Sequence, residues 1–402
     1  MFAGEGARLR EERYSIFRFK RHEKTQLFRI QPLRYLMHSI MHKENRDKRG
    51  YPKNRVGRKH RLHREREVID SVRYLQLETN DDCLISFVSQ LFCTDREIII
   101  FDIYTQAVYV FDYGGKFLRK LHKQGQGPGE YATILSISID ETTNEILIVD
   151  SGSRVLCYNL SSFDYLREIQ MEAIAVQKEK ANSLIAYNAS SITKDGQPYN
   201  YYLTRWEDGA ISKGFIPIEF SSGYLMAPNY RFYTYNKELY FYPPFQSAIY
   251  KIKGESCEPC YDIQYGNYHF PPLDILKSKD NNGNYILNLR KDFYVYSAQI
   301  FENDDFLITT YYVALRTYIG IYDKKTKHTV NLLRKDFETN PATVDWLNII
   351  ASHGDSFVSI LNHADLAEID EEEIKDESLK RLLTMPEDAN PILRFIRFKH
   401  IN

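Results

Sequence analysis

An all-β fold built from a repeated four-stranded unit is predicted by three observations on this 402-residue sequence. First, short strand-like runs follow one another between turn residues from residue 67 onward: "REIIIFD", "AVYVFD", "KFLRKL", "ILSISID", "EILIVD" and "VLCYNL". Second, the 31 tyrosines and 23 phenylalanines suit half-buried pleated surfaces. Third, the chain resembles itself. Segment 97–121 lies over 145–169 without a gap at an offset of 48, and Glu97/Glu145, Asp102/Asp150, Leu118/Leu166 and Arg119/Arg167 coincide. "ELYFYPPFQSAIYKI" (238–252) fits the same frame at an offset of 141, close to three periods. Segment 305–323 fits with a small insertion, and 355–362 looks like one more copy of "EIIIFD". A period of 40–50 residues made of four short strands marks a β-propeller blade.

Residues 67–402 have room for seven periods, and one helical insertion with some long blades brings the expectation to six. "VRYLQLET" (72–79) is an orphan strand before the first full blade, and "PILRFIRFK" (391–399) is a strand at the far end. Pairing the two in one blade closes the ring and removes exposed edges. Between them, 365–385 reads as an inserted helix. Asp365 suits an N-cap, acids crowd the first turns, and Lys380 and Arg381 stand near the end.

Blade topology places the loops. The crossing from an outer strand to the next inner strand opens on the same face as the loop between second and third strands. Loops 102–106, 125–131, 150–154, 243–247 and 311–316 are therefore expected at one mouth of the channel. The most conspicuous is "KQGQGPGEY" (123–131). It is no phosphate loop: no Lys-Ser/Thr follows its glycines, and a strand comes next where a helix is needed. Two readings stand. The glycines and Pro128 shape a tight blade-to-blade crossing, or Gln126, Glu130 and Tyr131 present polar groups to a ligand. The candidate binding residues are Asp102, Gln106, Gln126, Glu130, Tyr131, Asp150, Arg154, Gln246 and Arg316. No catalytic residue, metal ligand or cofactor is expected.

Charge divides the chain. The formal net charge is -1, yet residues 1–66 carry 20 Lys/Arg against 7 Asp/Glu. This basic leader has little apolar periodicity beyond a short amphipathic stretch, Phe28 to Met41. It reads as an unpacked, disordered leader or a start site placed upstream of the domain, with an arm for nucleic acid or anionic lipid as the other reading. It lacks the apolar run of a secretory signal, and no span of ~20 apolar residues predicts a transmembrane helix. Five cysteines are too few for a disulfide framework, and "CEPC" (257–260) reads as a turn with two incidental thiols or a local disulfide.

"LQLETNDDCLIS", "EIIIFD", "VFDYGGKFLRKLHKQGQGPGEY" and "DANPILRFIRFK" together resemble a family of six-bladed β-propellers abundant in Bacteroidetes. These are similar to NHL-repeat propellers, and many are known only as domains of unknown function. The resemblance spans about 67–402 and implies a lipoprotein-like place in the cell envelope. The basic leader, which has no cysteine, departs from that pattern. The family brings no catalytic motif.

The function expected is a non-enzymatic binding or scaffold module of the envelope, a monomer taking a glycan, a peptide or a partner protein at the channel mouth. The alternative is a propeller hydrolase or lyase acting on polysaccharide or peptide. Asp102, Glu130 and Asp150 are then the candidate carboxylates, although aspartates at strand ends also cap turns. No GxSxG, HExxH or paired-histidine spacing occurs. The tyrosine-rich stretches 199–206, 230–235 and 238–245 offer sugar-stacking rings or simply fill strands.

Overall fold

The computed structural model describes residues 16–19, 26–29 and 68–402, the last without 181, 221–230, 267, 278–293, 314–315, 334–348, 364–376, 383, 387 and 402. Ile16–Phe19 (β1) and Gln26–Arg29 (β2) pair as an antiparallel hairpin within a unit of its own. Phe28, where a helix was expected to begin, stands in β2; the rest of that stretch lies outside the described residues.

The second unit holds six four-stranded antiparallel sheets, the blades of a propeller. After Ile69–Gln76 (β3), the first blade runs Val88–Cys93 (β4), Ile98–Asp102 (β5), Ala107–Phe111 (β6) and Phe117–Leu121 (β7). The second runs Ile134–Asp140 (β8), Glu145–Asp150 (β9), Arg154–Asn159 (β10) and Tyr165–Gln170 (β11). In the third, Ala175–Lys180 (β12) and Ser183–Tyr187 (β13) are separated by a small hairpin, Ile192–Lys194 (β14) and Gln197–Tyr199 (β15), from Tyr201–Glu207 (β16) and Ala210–Pro217 (β17). The fourth has Phe232–Tyr235 (β18), Glu238–Phe241 (β19), Ala248–Lys253 (β20) and Ser256–Asp262 (β21). A short helix, Leu273–Lys277 (α1), precedes the fifth: Val295–Glu302 (β22), Phe306–Val313 (β23), Arg316–Asp323 (β24) and Thr329–Leu333 (β25). The sixth has Ile349–His353 (β26), Ser356–Leu361 (β27) and Ile392–Phe398 (β28), with β3 as its outer strand. Of the expected 365–385 helix, Glu377–Leu382 (α2) is helical and Thr384 and Met385 already lie in a turn beyond it, while 365–376 and 383 lie outside the described residues.

The first strand of each blade is the inner one, since β4 meets β8, β8 meets β12, β18 meets β22, β22 meets β26, and β26 returns to β4. Side chains stand in for a ladder between these strands. Gln90 accepts the Ile137 N–H at 2.7 Å and donates to the Ile137 carbonyl at 3.1 Å.

Why a central strand reads as an unbroken apolar run follows from where its two faces go. Ile98 and Ile100 pack with Ile350, Val358 and Leu393 of the sixth blade, while Ile99 and Phe101 pack with Ile137, Ile146 and Ile148 of the second. The same division recurs around the ring. Leu147 and Val149 join Val176 and Leu184; Ile185 and Tyr187 join Phe241; Tyr240 and Tyr242 join Ile300 and Leu307; Ile308 and Ile319 join Ile349 and Phe357. Each full burial of such a side chain is worth about 1.5–3 kcal/mol. The coincident Glu and Arg positions of the repeat are a matched pair in each of the first two blades. Arg119 binds Glu97 through two bonds of 2.7 and 2.6 Å, and Arg167 binds Glu145 through two of 3.0 and 2.9 Å. Cys257 and Cys260 correct the expectation of a turn: both lie on strand β21 as free thiols.

Closure rests on Asn390, buried beside β28. Its Oδ1 accepts the Ile85 N–H at 2.8 Å, and its Nδ2 donates to the carbonyls of Glu78 at 2.6 Å and Cys83 at 2.7 Å. Gly115 lies against β3. It has φ +85°, and a Cβ there would stand 2.1 Å from the Gln76 carbonyl oxygen, which accounts for the second glycine of "GGKF". The last residues are held by Asp323, whose Oδ2 accepts the Ile401 N–H at 2.8 Å and contacts the His400 ring at 3.1 Å.

Asn390→Ala removes three hydrogen bonds and leaves buried backbone groups unpaired, so it is expected to lower unfolding stability by about 2–4 kcal/mol, measured by urea titration. Asp323 provides a pH test. Burial raises its carboxyl, but the N–H groups of Ile401, Thr326 and Lys325 and the His400 ring bring it to about 2, below the ordinary 3.8. A depressed folded-state value adds stability above the unfolded value and loses it as pH falls through the folded one. Melting temperature is therefore expected to fall between about pH 4 and 2, with a flatter profile in Asp323→Asn over that window.

Candidate functional site

The two faces of the ring differ in their connections. On one face the described turns are tight, such as 94–97, 141–144, 208–209, 236–237, 254–255 and 303–305. The other face receives the β14–β15 hairpin, the crossing 263–294 with α1, the connection 362–391 with α2, and the glycine-rich crossing 122–133. Long connections on a rigid scaffold are where binding groups concentrate.

The glycine-rich crossing is folded on itself. Gly125 N–H donates to the Tyr131 carbonyl at 2.9 Å, Tyr131 N–H to the Lys123 carbonyl at 3.0 Å, and Glu130 N–H to the Gly127 carbonyl at 3.0 Å. Glu130 turns its carboxylate back to accept the Gly127 N–H at 2.8 Å, filling the space beside Gly125, where a Cβ would stand 2.0 Å from Oε2. Gly129 has φ +72° and presses against the Tyr165 ring. Its carbonyl accepts the Tyr158 hydroxyl at 2.8 Å.

Three of the loops expected at one mouth, 102–106, 125–131 and 150–154, are joined to one another, and several candidate residues are the means. Asp150 accepts the Ala132 and Thr133 N–H groups at 3.0 and 2.9 Å and holds Arg154 Nε at 2.8 Å. Arg154 Nη2 donates to the Glu130 carbonyl at 2.8 Å. Asp102, equivalent to Asp150, accepts the Ser86 N–H at 2.6 Å and the Tyr104 N–H at 2.8 Å. Tyr131 is buried and donates its hydroxyl to the Gln106 carbonyl at 2.7 Å. Gln106 Oε1 accepts the Ile134 N–H at 2.6 Å. These six side chains, Asp102, Gln106, Glu130, Tyr131, Asp150 and Arg154, brace the crossings. Gln126 is exposed, Arg316 is exposed beside Tyr318, and Gln246 is half-buried.

Gln246 lines a cavity of about 530 Å³ on this face. Its wall combines Phe245, Tyr265, Tyr268 and Phe270 with the polar groups of Gln246, Asp262, Gln264 and His269. Behind it the aromatic layer continues. Tyr265 and Tyr311 rings meet edge to face at 4.8 Å, Tyr311 stacks on Tyr318 at 5.2 Å, and the Tyr268 and Tyr318 hydroxyls are 3.4 Å apart. The tyrosine-rich stretches behave differently. Tyr202, Tyr240 and Tyr242 are buried, and Tyr233 stacks on Tyr240 at 4.9 Å. Sequence reasoning missed 265–270, because this crossing lies outside the repeat and has no periodicity. Its signal is the local density of "YGNYHF". Among the described residues no group of three or more His, Cys, Asp or Glu could hold a metal ion, and no helix is long and apolar enough to cross a membrane.

A family model described as Domain of unknown function (DUF4934) matches residues 59–397. Among solved structures, a Bacteroides fragilis NCTC 9343 protein inferred to be exported is 25% identical, with a TM-score of 0.76 over 84% of this chain and 98% of that one. A Bacteroides vulgatus ATCC 8482 member of the DUF4221 family is 12% identical, with a TM-score of 0.53 over 84% of this chain and 99% of that one, a likeness of fold alone. No curated protein matches significantly.

The Glu130 clasp predicts a non-additive pair. Gly125→Ala displaces the carboxylate and forfeits its bond to Gly127, at a cost of about 1 kcal/mol, and Glu130→Ala costs about the same. The double variant is expected to be no less stable than either single one in a denaturation cycle.

Proposed function

The chain belongs to the DUF4934 family, and on that premise we propose that it is a non-enzymatic binding or scaffold propeller of the bacterial cell envelope. Its ligand, a glycan, a peptide or a partner protein, meets the channel mouth at the face that carries the long crossings. The observation that carries this reading is the cavity under Gln246: it opens where the second-to-third-strand loop of the fourth blade meets the crossing to the fifth. A concave, aromatic-rich wall with a few polar groups is the usual form of a small-ligand site. The Bacteroides fragilis neighbour, inferred to be exported, supports the envelope location.

Gln126, Gln246 and Arg316 are the candidate residues best placed to meet ligand, since the other six hold the loops. A glycan and peptide array probed with the full chain supplies the test. Tyr268→Ala with Gln246→Ala is expected to weaken the strongest array ligand roughly tenfold or more, with little change in melting temperature. Retention of full affinity in that double variant, and in Gln126→Ala with Arg316→Ala, removes the mouth as the binding site.

A further inference from the structure

The cavity under Gln246 is walled by groups that solvent reaches. Asp262, Gln264 and His269 are exposed on it, and Gln246, Tyr268 and Phe270 are half-buried. Its volume of about 530 Å³ lies within the range of small-molecule sites, about 300–1,000 Å³.

Backbone bonds and ring contacts fix the wall. Ile263 N–H donates to the Ser247 carbonyl at 2.9 Å, and Val295 N–H donates to the His269 carbonyl at 3.0 Å. The crossing is thereby tied to the loop before β20 at one end and to β22 at the other. Between these ties the chain turns tightly: Tyr268 N–H donates to the Tyr265 carbonyl at 3.1 Å, and Gly266 has φ +67°. Phe270 stands edge to face with Phe245 at 6.2 Å and with Tyr265 at 5.5 Å, so two neighbours set its ring.

The polar tips are biased toward accepting. An ionised carboxylate only accepts, at two oxygens, and Asp262 uses Oδ1 for the Ser247 hydroxyl at 2.5 Å. His269 Nδ1 lies 2.8 Å from the Phe270 carbonyl oxygen, which is itself an acceptor. The neutral ring therefore carries its proton on Nδ1 and offers the Nε2 lone pair. Gln246 and Gln264 each add a carboxamide that can donate or accept. Asp262 also puts negative charge on the wall, which repels an anionic ligand. A ligand that fits must bring several hydroxyl donors close together, carry no negative charge and lay an apolar face on the rings. An extended peptide binds through a run of backbone groups, as at a sheet edge, whereas this wall presents side-chain tips and rings.

We infer that this cavity is the subsite for one uncharged pyranose ring of a neutral glycan. Asp262 and His269 accept its hydroxyls, Gln246 and Gln264 complete the hydrogen bonds, and Tyr268 and Phe270 meet its C–H face. The inference rests on the channel-mouth reading above and specifies its ligand.

The test is calorimetric titration of the full chain with cello-, manno-, xylo- and galacto-oligosaccharides, beside oligogalacturonates, chitosan oligosaccharides and peptides. At least one neutral series is expected to bind, with an affinity that does not change as salt rises from about 0.05 to 0.5 M. That affinity is expected to fall roughly tenfold or more in Asp262→Ala and roughly threefold or more in Gln264→Ala. Both side chains are exposed, so both variants are expected to melt with the natural chain. Preference for oligogalacturonates, for peptides, or for chitosan fragments whose binding collapses in salt overturns the neutral sugar. Neutral binding that survives both Asp262→Ala and Gln264→Ala places the sugar elsewhere and overturns the inference too. In each of these cases the channel-mouth reading is judged separately: binding of the preferred ligand that is lost in Tyr268→Ala with Gln246→Ala retains it. If none of the probes binds, both fall.

Discussion

The structure depends on the sharing of each central strand between two cores. Alternate side chains of β5 enter the cores on either side, one with the sixth blade and one with the second. No blade can cover both faces alone. A row of such blades would leave two apolar faces in water, so the arrangement is stable only as a closed ring. This is why Asn390 matters beyond its own hydrogen bonds. It fixes the segment before β28 to the segment after β3, the one junction that chain connectivity does not make.

Closure also determines what the loops are free to do. One face is used up in tight turns, and the other carries the insertions. On that open face the first and second blades differ from the fourth and fifth. Around 102–106, 125–131 and 150–154, carboxylates and amides are engaged with backbone N–H groups. Around 243–247 and 263–270, aromatic rings and polar tips surround open space. The same topology thus yields a rigid brace in one sector and a concavity in another.

Much of this architecture was legible in the residues. The period of 48 rests on positions that share a structural duty: Glu97 and Glu145 hold Arg119 and Arg167, and Asp102 and Asp150 receive incoming backbone. The terminal strands and the common face of the loops followed from that period. What the period could not reveal is which polar residue faces inward to the scaffold. Tyr131 and Asp150 have the chemistry of ligand contacts, yet their partners are backbone groups brought near by folding. Nor could it locate the cavity. Phe270 and Tyr265 belong to a crossing that the repeat does not cover.

The pairing of β3 with β28 has a bearing on biosynthesis. A ribosome makes β3 before every other strand of the ring, and its partner β28 after all of them. Until then the nascent chain carries an unsatisfied strand edge and one apolar blade face with nothing to cover it. Contacts of such long sequence separation form slowly, and exposed edges invite association with other chains. A cell producing this protein must therefore shield the early blades throughout elongation, and the final strand acts as the event that makes the whole ring safe from aggregation.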